Sequence, residues 1–261
     1  MEKRGTNGYI YLGTAIRYLV ASPPGTHVYG DGAVTGNIRG LLRRLEAYEF
    51  HVTRRVARQI EDLSSKWETE LAEHQGDEEW SRSRVLSAEE AGVLTDRAKI
   101  VRETVLAEAA GKTAFIATDK RYTVQKLLED VGSLFGEGIF AGLSDIAKFD
   151  FVEGGKALAY ELPTAAAFHI LRGTEASLRD FYLRVVKRDR IKEPRMWGPI
   201  VKDLRGKRKA PPTLLLDNLD SLRANFRNPT QHPEKVYDLD EAQDLLALAI
   251  DSINRMARFA A

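Results

Sequence analysis

The sequence predicts an all-α protein, with a long helical hairpin in its N-terminal half and a compact helical bundle in its C-terminal half. Apolar residues recur every three or four positions over most of the chain, which is the period of an amphipathic helix. Prolines fall between the periodic segments, where helices tolerate them. The 261 residues, 43% of them hydrophobic, can bury substantial cores. We expect an N-terminal region over residues 1–139 and a helical domain over residues 140–261.

The first apolar segment, "GYIYLGTAIRYLVASPP", predicts a packed helix. Arg17 interrupts it, and the pair Pro23 and Pro24 closes it, so it is too short to span a bilayer and poorly shaped as a signal peptide. The chain has no cysteine, which excludes disulfides and thiolate metal sites and suits a reducing compartment. We therefore expect a cytoplasmic protein without a membrane partner.

The hairpin is expected over residues 37–110. Its first arm reads as one helix from Asn37 to His74, about 55 Å long at about 1.5 Å per residue. Ser87 and Glu90 form a capping-box pattern that begins the second arm, and Gly111 ends it. The apolar positions of the first arm are Leu41, Leu45, Tyr48, Val52, Val56, Ile60, Leu63, Trp67 and Leu71. We interpret this hairpin as a regulatory or partner-binding arm.

The rest of the chain reads as a succession of shorter helices. Thr123 is placed to cap a helix that extends to Phe135. The last helix carries one apolar face, which is typical of a helix packed on a core. Further helices are expected at about 144–160, 164–188, 197–206, 213–227 and 239–260.

Two glycine-containing stretches do not fit nucleotide-binding motifs. The Gly-Lys-Thr at residues 111–113 has Leu106 where a phosphate-binding loop requires glycine. The stretch "GEGIFAG" lacks the spacing of a dinucleotide fingerprint and follows no predicted strand. We expect no cofactor.

Glu175 lies in the apolar seam of the helix predicted over 164–188. Burying a carboxylate costs several kcal/mol unless it is paired and hydrogen-bonded. Arg172 or Arg179 on the same helix can draw Glu175 to the edge of the seam, or another helix can supply its partner. In the second case Glu175 would orient a neighbouring arginine or histidine. His169, one position round from the seam, reads as a structural residue.

A basic segment runs from Arg184 to Lys209, with eleven lysines and arginines against three acidic residues, although the whole chain carries only +1. This concentration of positive charge favours binding of a polyanion such as RNA, and Tyr182 and Trp197 are candidates for stacking on its bases. The simpler interpretation is a solvated loop. The RNA-binding candidates are Lys187, Arg188, Arg190, Lys202, Arg205, Lys207, Arg208 and Lys209.

Arg227 and His232 stand on either side of Pro229 in the stretch "RANFRNPTQHPEKVYD". On one unbroken helix, two residues five apart point about 140° away from each other. Because proline disfavours helix at the residue before it, the helix is expected to end near Asn228, which lets His232 turn back toward Arg227.

An arginine beside a histidine suits cleavage of an RNA phosphodiester. Histidine has a reference pKa of about 6.5 and can move protons near neutral pH. Arginine can bind two phosphate oxygens as charge builds in the transition state, so no metal is needed. The motif supplies one histidine per chain, which leaves the second proton transfer unassigned, and a two-fold dimer would supply a second motif histidine.

The "RNPTQH" stretch resembles the R-x4-H motif of the HEPN superfamily, and "ALAYELPTAAAFHILRGTEASLRDFY" looks like the helix pair that precedes this motif in many members. The resemblance covers residues 140–261. It implies a HEPN-like helical bundle that dimerises and acts as a metal-independent endoribonuclease, often as a toxin or antiphage-defence effector controlled by an antitoxin, sensor or other defence-complex protein. Arg227 would bind the scissile phosphate, His232 would be the general acid or base, Asn228 would support them, and Glu175 would match an acidic position of the second helix.

The chain departs from one feature of the family. HEPN toxins that a nucleotidyltransferase controls often carry tyrosine two residues after the histidine, where this chain has Glu234. Two other interpretations of the motif stay open. Arg227 can cap the end of its helix while His232 packs the turn, or the domain can be a catalytically inactive HEPN-type dimer that serves as an adaptor or sensor.

Overall fold

The computed structural model describes residues 5–74, 77–186, 191, 195–230, 232 and 235–260. The described residues are helical apart from turns, loops and an isolated β-bridge between His27 and Val85, which confirms the all-α prediction. No helix among them is long and apolar enough to cross a membrane. The chain divides into two compact units, Met1–Ala114 and Phe115–Ala261.

The first unit contains six helices in its described residues and has its own hydrophobic core. Leu12, Ile16 and Leu19 of the first helix are buried, so the N-terminal apolar segment is the packed helix that the sequence predicts. The helices are α1 (Asn7–Val20), α2 (Val34–Ala47), α3 (His51–Val56), α4 (Arg58–Glu73), α5 (Glu78–Ser83) and α6 (Ala88–Ala109).

The single long helix predicted from Asn37 to His74 is wrong, because the chain breaks twice. At the end of α2, Glu49 adopts a left-handed conformation with φ of 58°. The N–H of Phe50 then donates to the carbonyl of Leu45 and that of Glu49 to the carbonyl of Glu46, the pattern of a Schellman cap. Phe50 enters the core, and its burial offsets the cost of the left-handed residue.

The second break lies at Ala57, between α3 and α4. The carboxylate of Glu108, on α6, accepts from the backbone N–H groups of Val52 and Thr53 and from the Thr53 hydroxyl, so α6 caps α3. The predicted capping box at the start of α6 is confirmed by the reciprocal bonds between Ser87 and Glu90. Residues 37–110 thus form part of a compact unit instead of a simple two-arm hairpin.

The second unit follows the predicted helices closely, although its first helix is shorter than expected. Thr123 caps α7 as predicted, but α7 ends at Glu129 and a 3-10 turn, Val131–Leu134, precedes Phe135. Leu127, Val131 and Phe135 are buried in the core of this unit. The sequence predicted a domain boundary after residue 139, which would put these three residues in the N-terminal region, but the second unit begins at Phe115. The helices are α7 (Val124–Glu129), α8 (Asp145–Ala159), α9 (Pro163–Val185), α10 (Trp197–Arg205), α11 (Thr213–Leu222), α12 (Asn228–Thr230) and α13 (Leu239–Ala260).

Helices α8 and α9 form an antiparallel pair that positions the candidate site. Glu161 takes a left-handed conformation in the connecting turn, and Pro163 begins α9 at a position where its missing N–H costs nothing. The two helices approach closely at small residues. A Cβ on Gly173 would stand 3.0 Å from the ring of Phe151, and one on Gly154 would stand 3.1 Å from the side chain of Ile170. Close approach of the two backbones brings their polar side chains into contact.

Candidate functional site

The motif arginine, Arg227, ends a π-helical turn over Arg223–Arg227 that continues from α11. The helix was expected to end near Asn228 and is described to Thr230, two residues further on, so Pro229 lies inside the helix instead of beyond its end. In a regular α-helix the ring of Pro229 would clash with the carbonyl of Asn225. A π-helical turn directly precedes Pro229, so the regular i→i−4 geometry in which this clash arises is not formed there.

Two hydroxyl groups fix this wide turn. The carbonyl of Phe226 accepts from the Thr230 hydroxyl at 2.6 Å and from the Tyr237 hydroxyl at 3.1 Å. Tyr237 is buried, and its burial raises the pKa of its phenol above the ordinary value. The phenol therefore stays protonated as a hydrogen-bond donor. The hydroxyls of Thr230 and Tyr237 lie 2.6 Å apart, so both meet at one carbonyl of the turn that carries Arg227.

Glu175, on α9, is the carboxylate partner of Arg227. Its Oε2 lies 3.4 Å from Nε of Arg227, and its Oε1 accepts from Nη2 of Arg179 at 2.6 Å. The Glu175 side chain is only 14% exposed. Both partners foreseen for it are present, one on its own helix and one on a distant segment, so a single carboxylate is shared by two guanidinium groups.

These groups line an open cleft of about 680 Å³. Its charged wall contains three arginines and two acids, Arg172, Arg179, Arg227, Glu175 and Asp180. Its apolar wall includes Ile146, Phe168 and Leu171. A cleft that presents three arginines beside an exposed aromatic ring can bind a phosphate-bearing chain.

The other two motif residues lie outside this wall. Asn228 is exposed, next to Arg227. The side chain of His232 is exposed as well, and its backbone N–H donates to the carbonyl of Pro229 at 2.9 Å, which turns the chain after α12. Neither side chain is among those that line the cleft. The structure therefore brings Arg227 to Glu175, and it leaves the His232 side chain exposed and outside the cleft wall.

The basic segment is partly neutralised. Lys187, Arg188 and Arg190 lie outside the described residues. Lys202, Arg208 and Lys209 are exposed. Arg205 binds both Asp217 and Asp220, which raises its pKa, and Lys207 pairs with Asp203 at 2.6 Å.

The two aromatic residues of this segment do not offer stacking surfaces. Trp197 is 1% exposed and Tyr182 is fully buried, because both pack into the core of the second unit. The Tyr182 hydroxyl donates to Asp203 at 2.8 Å, which ties α9 to α10. The expectation that Tyr182 and Trp197 stack on RNA bases is therefore wrong.

The structure adds a polar cluster that the sequence analysis missed. Asp150, on α8, is fully buried and accepts from Nε of Arg172 at 2.7 Å. The same carboxylate lies 3.0 Å from Nδ1 of His169. The signal in the sequence was an aspartate between Phe149 and Phe151 on an apolar helix, but its two partners on α9 follow only from the crossing of the helices.

Comparison with protein-family models, with curated proteins and with solved structures gives no match for this chain. The geometry and chemistry of the cleft therefore carry the functional conclusion.

Proposed function

We propose that the protein is a metal-independent endoribonuclease of the HEPN type, with its cleavage site at Arg227 and His232. The observation that supports this proposal is the position of Arg227, which a partly buried carboxylate holds at the wall of a cleft with two further arginines. A guanidinium group fixed in this way can stabilise negative charge on a phosphate without reorganising during the reaction.

The reaction is an internal transfer followed by release of the 5′-product. The 2′-oxygen of the substrate attacks the neighbouring phosphorus, the bond between phosphorus and the 5′-oxygen breaks, and a 2′,3′-cyclic phosphate remains. One group removes the proton of the 2′-hydroxyl and another protonates the leaving 5′-oxygen. In the proposal His232 performs one of these transfers, Arg227 binds the non-bridging oxygens, and Asn228 supports the substrate.

The second proton transfer requires a second group. We assign it to His232 of a second copy, because the His232 side chain is exposed and lies outside the cleft wall that Arg227 lines. A two-fold dimer would present both copies of the motif to one RNA strand. An antitoxin, sensor or defence-complex protein would then control the dimer, and the role of toxin or antiphage-defence effector is part of the same proposal.

The test is cleavage of a mixed RNA by the purified protein in EDTA, with chemical analysis of the product ends. Wild type is expected to leave 2′,3′-cyclic phosphates and 5′-hydroxyls, and His232→Ala is expected to leave the RNA intact. His74→Ala is a matched control, since His74 is an exposed histidine of the first unit. Equal cleavage by wild type and His232→Ala would refute the assignment of His232.

A second candidate function is a catalytically inactive HEPN-type dimer that serves as an adaptor or sensor. The absence of His232 from the cleft wall favours it, since arginines can bind an anionic chain where no histidine is present to transfer protons. This candidate predicts RNA binding that depends on Arg227, with no cleavage by wild type in the presence of its physiological activator.

A further inference from the structure

Arg172 is an exposed arginine whose guanidinium group is bound by a buried carboxylate. Its side chain is 57% exposed, yet its Nε and Nη2 both lie 2.7 Å from oxygens of Asp150, which is fully buried. Within the described part of the chain, Nη1 of Arg172 has no hydrogen bond, and Arg172 lines the cleft. The guanidinium is therefore held in one orientation while one of its nitrogens remains available to a ligand.

Stability alone does not explain the ion pair between Asp150 and Arg172. An ion pair that requires a buried carboxylate contributes little to stability, because burying the carboxylate is costly, and well-packed apolar residues often replace such pairs without loss. Asp150 lies at a close contact between α8 and α9, where a Cβ on Gly173 would stand 3.2 Å from its own Cβ, and an apolar residue of similar size would suit that contact. Asp150 instead binds Arg172 and also contacts His169, so it orients the two polar side chains that α9 presents on this side.

Phe168 stands one helical turn before Arg172, about 6 Å along α9. It lines the cleft, and 48% of its surface is exposed. Residues four apart on a helix face the same side, so the ring of Phe168 and the guanidinium of Arg172 are neighbours. An exposed aromatic ring beside a fixed cation is the arrangement with which proteins bind unpaired nucleotides, through base stacking and a phosphate contact.

We propose that Phe168 and Arg172 form a subsite for one unpaired nucleotide next to the cleaved bond, with the base stacked on Phe168 and the phosphate bound by Nη1 of Arg172. This subsite rests on the proposed function, because it assumes that the strand bound in this cleft is RNA. A base within a duplex cannot offer its face to Phe168, so the substrate class is single-stranded RNA. Asp150 is a positioning residue that holds Arg172.

The test is equilibrium binding of a fluorescein-labelled single-stranded RNA of eight nucleotides, measured by anisotropy in the His232→Ala background so that no cleavage occurs. Stacking of one base is worth about 1–3 kcal/mol, so Phe168→Ala is expected to raise Kd at least about fivefold. Phe149→Ala is the matched control, because Phe149 is 52% exposed on α8 but does not line the cleft. Arg172→Ala is expected to weaken binding and to reduce the salt slope by about one.

A double-mutant cycle on the RNA completes the test. A series of RNAs carrying one abasic nucleotide locates the base that contacts Phe168, and loss of that base is expected to weaken binding to His232→Ala and to leave the Phe168→Ala variant unchanged. Equal Kd values for the Phe168 and Phe149 variants would overturn the subsite. So would sedimentation showing that Phe168→Ala converts a dimer into a monomer, since Phe168 would then belong to an interface between copies. Binding that depends on Phe168, without cleavage by wild type, would refute the nuclease and support the subsite.

Discussion

Two clusters of arginines and carboxylates, one in each unit, differ in charge balance and in exposure. In the first unit Arg84 binds Glu70 at 2.9 Å and Glu90 at 2.6 Å, and all three side chains are at most 31% exposed. Trp67 also donates to Glu90. This cluster pairs one cation with two anions, and neighbouring donors satisfy the anions.

The cluster in the second unit has the opposite balance. Glu175 alone pairs with Arg179 and Arg227, and all three line an open cleft. A closed, satisfied network stabilises a fold, whereas two guanidinium groups that share one carboxylate at an open surface can also bind an anionic ligand. The contrast favours a structural role for the Arg84 cluster and is the reason for proposing the Glu175 cluster as the functional site.

Removal of Arg84 is expected to have the largest effect on stability. Arg84→Ala leaves two partly buried carboxylates without their cation, which costs about 3 kcal/mol. Hydrogen exchange of the α6 amides measures the stability of the first unit. In Arg84→Ala these amides are expected to exchange on the order of a hundredfold faster than in wild type. Arg82→Ala, which removes an exposed pair with Glu78, serves as the control and should change exchange little. Similar exchange in both variants would contradict the structural role of Arg84.

The Arg84 cluster also predicts a pH dependence. The hydrogen bond from Arg84 lowers the pKa of Glu90 to about 2. Because the native carboxylate binds its proton less readily than in the unfolded chain, this stability is complete above the unfolded pKa of about 4.3 and is lost as the pH falls toward 2. Urea unfolding of wild type and Glu90→Gln is expected to differ by about 2 kcal/mol at pH 6 and to converge near pH 2. A difference independent of pH would show that Glu90 acts through packing alone.

Glu175→Gln is expected to affect turnover more than binding. The neutral amide no longer orients Arg227, so kcat for RNA cleavage should fall about tenfold, equivalent to about 1.4 kcal/mol. KM should stay level or fall, since the cleft becomes more positive. The matched control is Glu153→Gln, because Glu153 pairs with Lys156 on α8 outside the cleft wall. Wild-type kcat in the Glu175 variant would remove Glu175 from the site.

Much of the fold could be predicted because local patterns determine it. The prolines and the capping residues Ser87 and Thr123 located helix boundaries to within a few residues. The breaks at Glu49 and Ala57 could not be predicted in this way. Neither carries glycine or proline, and both depend on tertiary contacts, the burial of Phe50 and the cap from Glu108.

The site was predictable only where its residues stood out in the chain. Glu175 was found because a carboxylate interrupts an apolar seam, and Arg227 because a proline follows it closely. The ion pair between Arg172 and Asp150 could not be predicted, because the sequence does not show which residue of α8 packs against Arg172. The π-helical turn was missed because helical periodicity alone does not distinguish it from an α-helix that ends at proline.

The most direct test of the central claim is the rate of RNA cleavage in EDTA by Arg227→Ala and by Arg223→Ala. Both arginines belong to the same π-helical turn, but only Arg227 lines the cleft, whereas Arg223 lies near Asp220. Loss of one donor to a developing negative charge typically costs about a hundredfold to a thousandfold in rate. The account predicts that loss for Arg227→Ala and a near wild-type rate for Arg223→Ala. Wild-type cleavage by the Arg227 variant would contradict it.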